Sequence, residues 1–564
     1  MNRSQSRRLL LVATVMGVFS LVIIARLIQF QVVDREETMA YGSGEYDRIE
    51  WPNRGVIYDR NGAVLAANGA DYQIGASPNM VTQPKELATE LAPILEVPSY
   101  QLLAKLQSKR PYVLISGRVS PEIAETVRNL PDNDGLQIEP LPRRYFPQKS
   151  LMSQTLGYVN FEGHGRSGLE GFYDRELAGE AASQKYYISP LEVQPDASAR
   201  EGSDLVLTID RTVQYVVERH LREAIDLYDC TKGEIIVINP KTGEILAMAS
   251  EPGFDPYNFF DVETETIKNP IVSDQFEPGS VMKLITMAAA LDSGTVTPDS
   301  TYYDTGELYV GGHKTVNWTR MAHGQVDMTT LLAQSLNVGA ATLAVWMGTD
   351  NYYSYLQRFG YGQPTGIDLV AEANGLMPLP GSPYWEESFL ATNAYGQGIA
   401  VTPIQMVAAL SALANEGKMM QPYLVKEIHR GDSVQVTKPV VISQPVSAET
   451  AQQLTAMATN ALNTAIPQAQ VPGYTVAGKT GTAQIAENGI YLPDDAIGTF
   501  VGWLPADDPE ILVYIKLDRP NVYWGSQSAA PTFAELAPEL VVLLDIPPDN
   551  IRLQGDVLAA RINE

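Results

Sequence analysis

Ser280 and Lys283 stand three residues apart in the run Phe-Glu-Pro-Gly-Ser-Val-Met-Lys at 276–283. Residues i and i+3 share a helical face, so the two side chains can touch. Pro278 and Gly279 break whatever precedes, and the Ala-rich apolar stretch Val281 to Leu291 ahead of Gly294 predicts a buried helix that opens at Ser280. A serine there meets the positive end of the helix dipole and free N–H groups, which favour an oxyanion forming on an attacked carbonyl. A lysine desolvated beside it is suited to be its base. Alone the pair is a weak signal, because two common residues at one spacing recur by chance about once or twice in a chain of this length.

Two further elements strengthen it. Ser335-Leu336-Asn337 follows some fifty residues later, and Lys479-Thr480-Gly481-Thr482 lies well downstream. In this order, Ser-x-x-Lys, Ser-x-Asn and Lys-Thr-Gly resemble the active-site set of penicillin-binding proteins and class A β-lactamases.

The elements that must position these residues are legible around them. At 564 residues with 45% hydrophobic content, the chain is long enough for two or three packed domains. Its formal charge of −26 makes it a poor partner for phosphate backbones, so no nucleic acid is expected. The single cysteine, Cys230, allows no internal disulfide and reads as a small apolar residue. Arg3, Arg7 and Arg8 precede the unbroken apolar run Leu9 to Ala25, with Arg26 placed to snorkel and apolar residues continuing beyond. This predicts a short cytoplasmic tail at 1–8 and one transmembrane anchor at 9–33, with the remainder outside the cell membrane. No small-x-small cleavage site follows, which favours a retained anchor over a removed signal peptide.

Residues 35–200 read as a mixed, elongated pedestal module for spacing, docking or dimerisation. Asn61-Gly62 marks a hairpin, 85–130 alternates short helical stretches with proline breaks, and Gly168-Leu-Glu-Gly opens a short helix closed by Gly179. The charged residues of this module read as ion pairs. A second domain, 201–564, opens with a strand at 204–209 and a helix capped by Asp210 and running to about Tyr228. Two β-rich runs beginning at Gly233 and Gly243 follow. Its middle, 278–416, reads as mostly helical, with a capping box at Thr402-Pro-Ile-Gln405. Strands at 474–486, 497–504 and 510–517 and a final helix near 533–544 complete an α+β pattern of a sheet flanked by helices.

The order of anchor, Arg54-Gly hairpin, Gly-Leu-Glu-Gly segment and three-motif domain resembles a class B penicillin-binding protein over nearly the whole chain. Ala477-Gly-Lys-Thr-Gly-Thr-Ala483, Tyr395-Gly-Gln-Gly-Ile-Ala-Val-Thr-Pro-Ile-Gln405 and Asn337 are similar to the division-type branch, the FtsI group. Val281 departs from the threonine common there, a change that keeps the shape and removes a hydroxyl. The resemblance implies a β-lactamase-like α+β catalytic fold and a peptidoglycan D,D-transpeptidase, cross-linking stem peptides through a serine acyl-enzyme and inhibited covalently by β-lactams. It implies that Ser280 attacks the carbonyl between two D-alanines, that Lys283 takes its proton, that Ser335 relays a proton, that Asn337 holds Lys283 and the substrate amide, and that Lys479 adds positive charge. It also places an oxyanion hole at the N–H groups of Ser280 and Thr482, and membrane partners in a polytopic glycosyltransferase of the shape, elongation, division and sporulation class (FtsW/RodA type) and in divisome proteins. If 474–486 is an edge strand, an extended peptide can pair with it, with Gly481 allowing close approach and Thr480 and Thr482 sharing one face for the substrate carboxylate. Strand alternation turns Lys479 to the opposite face, so its stem is expected to curl round to the site.

Three other patterns are set aside. Gly473-Tyr-Thr-Val-Ala-Gly-Lys-Thr480 fits G-x-x-x-x-G-K-[ST], but the preceding stretch is broken by prolines and the following one is strand-like, so no phosphate loop is expected. Lys241-Thr242-Gly243 duplicates the third motif but reads as a turn. His164, His220, His313, His323 and His429 are scattered without metal-ligand spacing, and no Gly-x-Ser-x-Gly elbow occurs, so neither a metal, a cofactor nor a Ser-His-Asp hydrolase is expected. The alternatives that stay open are an elongation-type member of the same family, a D,D-carboxypeptidase or β-lactamase-like hydrolase, and a non-catalytic β-lactam-binding sensor or scaffold.

Overall fold

The computed structural model describes residues 3–29, 46–50, 52–131, 133–180, 182–186, 200–487 and 490–554. Contacts divide the chain into two units, Met1–Arg54 with Ala178–Gly202 and Gly55–Leu177 with Ser203–Glu564. The first holds a helix over Arg3–Ile28 and an antiparallel pair of strands, Tyr46–Glu50 with Ala182–Tyr186. Within that helix Leu11–Ile28 has a mean hydropathy of 2.4 and no buried residue, long and apolar enough to cross a membrane. Positions 30–33 of the expected anchor and 35–45 of the expected module lie outside the described residues.

The second unit is built round a five-stranded antiparallel sheet. Its elements in chain order are α1 (Arg211–Tyr228), β1 (Lys232–Ile238), β2 (Ile245–Glu251), α2 (Met282–Asp292), α3 (Asn337–Met347), α4 (Pro403–Leu413), α5 (Ala448–Ala465), β3 (Ala477–Glu487), β4 (Ile490–Leu504), β5 (Ile511–Asp518) and α6 (Ala529–Leu543). The strand order is β3-β4-β5-β1-β2, which leaves β3 at an edge. Strands β1 and β5 are central and buried on both faces. Ile235 and Val237 of β1 and Val513 and Ile515 of β5 pack with Val217 and Leu221 of α1 and Phe533 and Leu536 of α6. Ile236, Ile238, Leu512 and Tyr514 point the other way, into the larger core shared with α2, α3, α4 and α5. Asp210 caps α1 by accepting from the N–H groups of Thr212 and Val213, and Thr402 and Gln405 form the expected capping box on α4.

A second sheet runs in the order Ser433–Val436, Val425–Arg430, Asp204–Leu207, Ile57–Tyr58, Val64–Ala76 and Val113–Val119, with Leu136–Tyr145 also paired to Val64–Ala76. Strands from both sides of residue 200 therefore share it. The hairpin at Asn61-Gly62 forms, with Asp59 accepting the N–H groups of Asn61 and Ala63. In the Gly-Leu-Glu-Gly segment Glu170 is buried and paired with Arg144 at 2.5 Å, a structural ion pair. Two readings of local structure differ from the sequence. The stretch 85–130 contains a strand, Val113–Val119, and the segment expected to be helical contains four short strands, Thr301–Asp304, Glu307–Val310, His313–Val316 and Gly324–Asp327. Each of those four is only four residues long, too few for a period of two to stand out.

Lys516 of β5 and Glu234 of β1 are cross-strand partners on the larger-core face, both buried, with Nζ 2.9 Å from Glu234 Oε2 and 2.7 Å from Asp518 Oδ1. Their carboxylates hold Lys516 above its ordinary range against the pull of burial. Lys516→Met should therefore destabilise the fold by about 3–5 kcal/mol, because it leaves Glu234 buried beside no cation. The double variant Lys516→Met/Glu234→Leu should recover most of that loss in chemical denaturation. An additive double variant would show that the two charges are independent.

Candidate active site

The turn Gly279–Val281 is a single 3₁₀ turn that runs directly into α2, where every residue from Met282 to Leu291 is buried. Gly279 sits at φ 59° and a Cβ there would lie 2.8 Å from Thr482 O, so only glycine lets the nucleophile's turn press against β3. Val281, fully buried, leaves the serine-lysine contact intact. Lys283 is 1% exposed. Its Nζ lies 3.0 Å from Ser280 Oγ, 2.5 Å from Ser335 O, 3.1 Å from Ser335 Oγ and 2.7 Å from Asn337 Oδ1.

Each partner is placed by its own element. Ser335 has φ 54°, a left-handed conformation uncommon outside glycine, which sits between the helix Met328–Ala333 and α3. Asn337 begins α3 and donates from Nδ2 to Val316 O at 3.1 Å, leaving Oδ1 for Lys283. Lys479, 2% exposed, donates to Ser335 Oγ at 3.1 Å and to Thr480 O at 3.0 Å. Ser335 Oγ thus lies within 3.1 Å of both lysine nitrogens.

Along β3 the residues Lys479, Gly481 and Ala483 are buried while Thr480 and Thr482 are half-buried. A Cβ on Gly481 would lie 2.1 Å from Thr499 Oγ1 and 2.8 Å from Val281 Cγ2. The face that carries Lys479 is therefore the face packed against the nucleophile's turn, so Lys479 reaches Ser335 directly and its stem has no need to curl round. The bare Cα of Gly481 makes room for Val281 and Thr499. Thr480 and Thr482 lie on the opposite face, where Thr482 Oγ1 accepts from Gly525 N at 3.0 Å. The structure thus joins Ser280, Lys283, Ser335, Asn337 and Lys479 in one hydrogen-bonded chain and sets the two threonines along the strand beside it.

No ion pair among the described residues involves Lys283 or Lys479. Burial, reinforced by the charge of Lys479, holds the Lys283 ammonium well below its usual range, and burial pushes Lys479 down to about 7. Neutral Lys283 has two N–H groups and one lone pair. Ser335 O and Asn337 Oδ1, the two shortest contacts, accept only, so they take the N–H groups and leave the lone pair to a hydroxyl, Ser280 being the closer. That arrangement can draw the proton from Ser280 Oγ and create an alkoxide nucleophile.

The remaining motifs have structural roles. Gly478-Lys479-Thr480 lies within a strand and opens no helix, which excludes a phosphate loop. Lys241-Thr242-Gly243 is a turn whose Lys241 pairs with Asp508 and Glu510. Burial raises the Cys230 thiol to about 12, leaving it little thiolate. Sequence reasoning missed Trp318 and Trp524, exposed rings 5.3 Å apart whose neighbours are motif-bearing: Trp318 Nε1 donates to Gln334 O beside Ser335, and Trp524 precedes Gly525. It also missed Glu277, although it stands three residues before the nucleophile. No spacing rule connects 318 with 524.

A serine with a buried lysine base at the start of a buried helix, flanked by a cationic edge strand, defines a serine acyl-transferring enzyme. Residues 233–537 match the penicillin binding protein transpeptidase domain, and 49–207 match the penicillin-binding protein dimerisation domain. The chain is 34% identical to stage V sporulation protein D of Bacillus subtilis, over 97% of this chain and 87% of that one. It is 27% identical to peptidoglycan D,D-transpeptidase FtsI of Escherichia coli, over 93% and 90%. A crystal structure of penicillin binding protein 3 from Mycobacterium tuberculosis in complex with aztreonam is similar at 29% identity and a TM-score of 0.70, covering 89% of this chain and 98% of that one. The chain belongs to the penicillin-binding proteins, of class B, and is a serine-type peptidoglycan transpeptidase.

Because Lys283 must be neutral to act as base and Lys479 charged to act as a cation, acylation by a penicillin should follow a bell-shaped pH profile. It rises as Lys283 loses its proton and falls as Lys479 loses its own at about 7. A profile that climbs on into the ordinary lysine range would contradict both depressed ammonium groups. Lys283→Arg should lower the acylation rate by at least about a hundredfold, since arginine stays protonated, and Lys479→Arg should retain more.

Proposed function

We propose that the chain cross-links peptidoglycan stem peptides ending in D-Ala-D-Ala through an acyl-enzyme on Ser280, in the division branch of its family. The observation that carries this is Lys283 Nζ, held between Ser280 Oγ, Ser335 and Asn337 with no ion-pair partner among the described residues. Ser280 Oγ attacks the carbonyl of the penultimate D-alanine while its proton passes to Lys283. The N–H groups of Ser280 and Thr482 receive the oxyanion. The C–N bond then breaks, and the departing D-alanine amine takes a proton relayed by Ser335, which Lys283 and Lys479 both contact. An acceptor amine of a neighbouring stem attacks the ester, gives up its proton along the same relay, and the C–O bond breaks to restore Ser280. Thr480, Thr482 and the charge of Lys479 hold the substrate carboxylate, and the stem pairs with the outer edge of β3.

A β-lactam presents a strained amide and a carboxylate to the same groups. Intact-mass and peptide mass spectrometry after penicillin exposure should find one covalent adduct, on Ser280. Ser280→Ala should show none while keeping its fold. Labelling of that variant, or of another residue in the native chain, would overturn the nucleophile assignment.

In the cell, the reading places residues 1–8 in the cytoplasm, 9–33 in the membrane, and a pedestal (35–200) and catalytic domain (201–564) outside. The module at 35–200 and the anchor dock a polytopic glycosyltransferase that supplies the glycan strands, together with divisome proteins. The basic residues ahead of the apolar helix support that orientation. Depletion should give filaments; rounded cells would favour an elongation role, and defects confined to spores a sporulation role. Exchange of residues 9–33 for an unrelated transmembrane helix of equal length should disperse the protein and abolish co-purification of its glycosyltransferase. Survival of both would refute recognition of the anchor.

A further inference from the structure

Strands β3 and β4 pair in unbroken register from Ala477 opposite Trp503 to Gln484 opposite Ala496. Pairing then resumes at Ala486 opposite Tyr491, so that one residue of β3 faces four of β4. An insertion of this kind bends a hairpin and re-aims its side chains. Beyond it, the hairpin end is fastened at two points. Arg519 pairs with Asp495 at 2.9 Å and with Glu487, and the Tyr491 hydroxyl donates to Glu277 Oε1 and Oε2 at 3.1 and 3.0 Å.

The second fastening leads straight to the nucleophile. Glu277 stands three residues before Ser280, and its Oε1 also accepts from Gly398 N at 2.8 Å. Gly279 N in turn donates to Gly396 O at 3.0 Å. None of the ion pairs among the described residues supplies Glu277 with a cation. Among the described residues its charge is held by a backbone N–H and a phenol, and the phenol belongs to the hairpin. One carboxylate therefore joins the turn that carries Ser280, the Tyr395-Gly-Gln-Gly loop and the far end of the β3–β4 hairpin.

On the reading proposed above, Lys479 and Thr480 take the substrate carboxylate, so the rest of the stem must run along β3 past Ala483 toward Glu487. The position of that outer half depends on the fastening. We infer that Glu277 and Tyr491 form a latch that sets the outer half of β3 for peptide-length substrates, and that both are positioning residues for acylation. A small β-lactam, which ends near Lys479–Thr482, depends on it far less.

The test uses the detergent-solubilised full chain with two probes, a stem pentapeptide ending in D-Ala-D-Ala and a fluorescent penicillin. Tyr491→Phe and Glu277→Ala should lower kcat/KM for the pentapeptide about tenfold more than they lower penicillin acylation, the scale of one lost hydrogen bond to a charged group. Glu277→Gln should recover most of that loss, because its amide still accepts from Gly398 N–H and donates to the phenol oxygen. The double variant Tyr491→Phe/Glu277→Ala should be no worse than Glu277→Ala alone on the pentapeptide. Equal losses on both probes, additive losses in the double variant, or no loss in Tyr491→Phe would overturn the latch. A native chain that penicillin fails to label at Ser280 would instead overturn the reading of the site on which the latch rests.

Discussion

A primary amine buried to 1% exposure, with no carboxylate paired to it among the described residues, is the constraint on which this catalytic domain depends. An ammonium in that position is costly, so the ground state favours a free base, and that amine stands beside the Ser280 hydroxyl. Everything adjacent maintains the condition. α2 is apolar on all sides and carries Lys283 into the core; Asn337 and the Ser335 carbonyl take its N–H groups; the lone pair is left for Ser280. The left-handed backbone of Ser335 fits the same logic, since strain of about 1–3 kcal/mol is tolerated where surrounding packing imposes it.

The same domain holds a third buried lysine that shows the alternative. Lys516 lies on the same face of the same sheet as Lys479, is equally buried, and sits against Glu234 and Asp518. Its ammonium is raised above the ordinary range, whereas Lys479 falls to about 7. Burial is common to both, so the difference comes from the presence or absence of a carboxylate. In a chain with 66 acidic residues, the lack of a carboxylate partner for Lys283 and Lys479 among the described residues is a property of the fold and not of composition.

Close approach is the second condition. β3 and the nucleophile's turn meet with no space for a Cβ at Gly279 or Gly481, which brings Lys479 to Ser335 without detour. The edge position of β3 leaves one side of its backbone open to an extended peptide, and the irregular hairpin beyond it returns to Glu277. Positioning of Ser280 and positioning of the strand therefore share a set of contacts.

Sequence alone placed Ser280 and Lys283 in contact, because a spacing of three on a helix is local and needs no partner to be read. It also determined the apolar span, the caps at Asp210 and Thr402, the hairpin at Asn61-Gly62 and the strands of the catalytic sheet, each a matter of neighbouring residues. Its three motifs, matched as a set, were enough to imply the family. The tertiary structure alone decided that β3 is an edge strand, that Lys479 shares its face with the nucleophile's turn, and that Glu277 meets Tyr491 some two hundred residues away. It also decided which buried lysine has a carboxylate. These depend on which face of a strand meets which helix and on charges brought together across long separations, and the periodicity of a single chain carries neither.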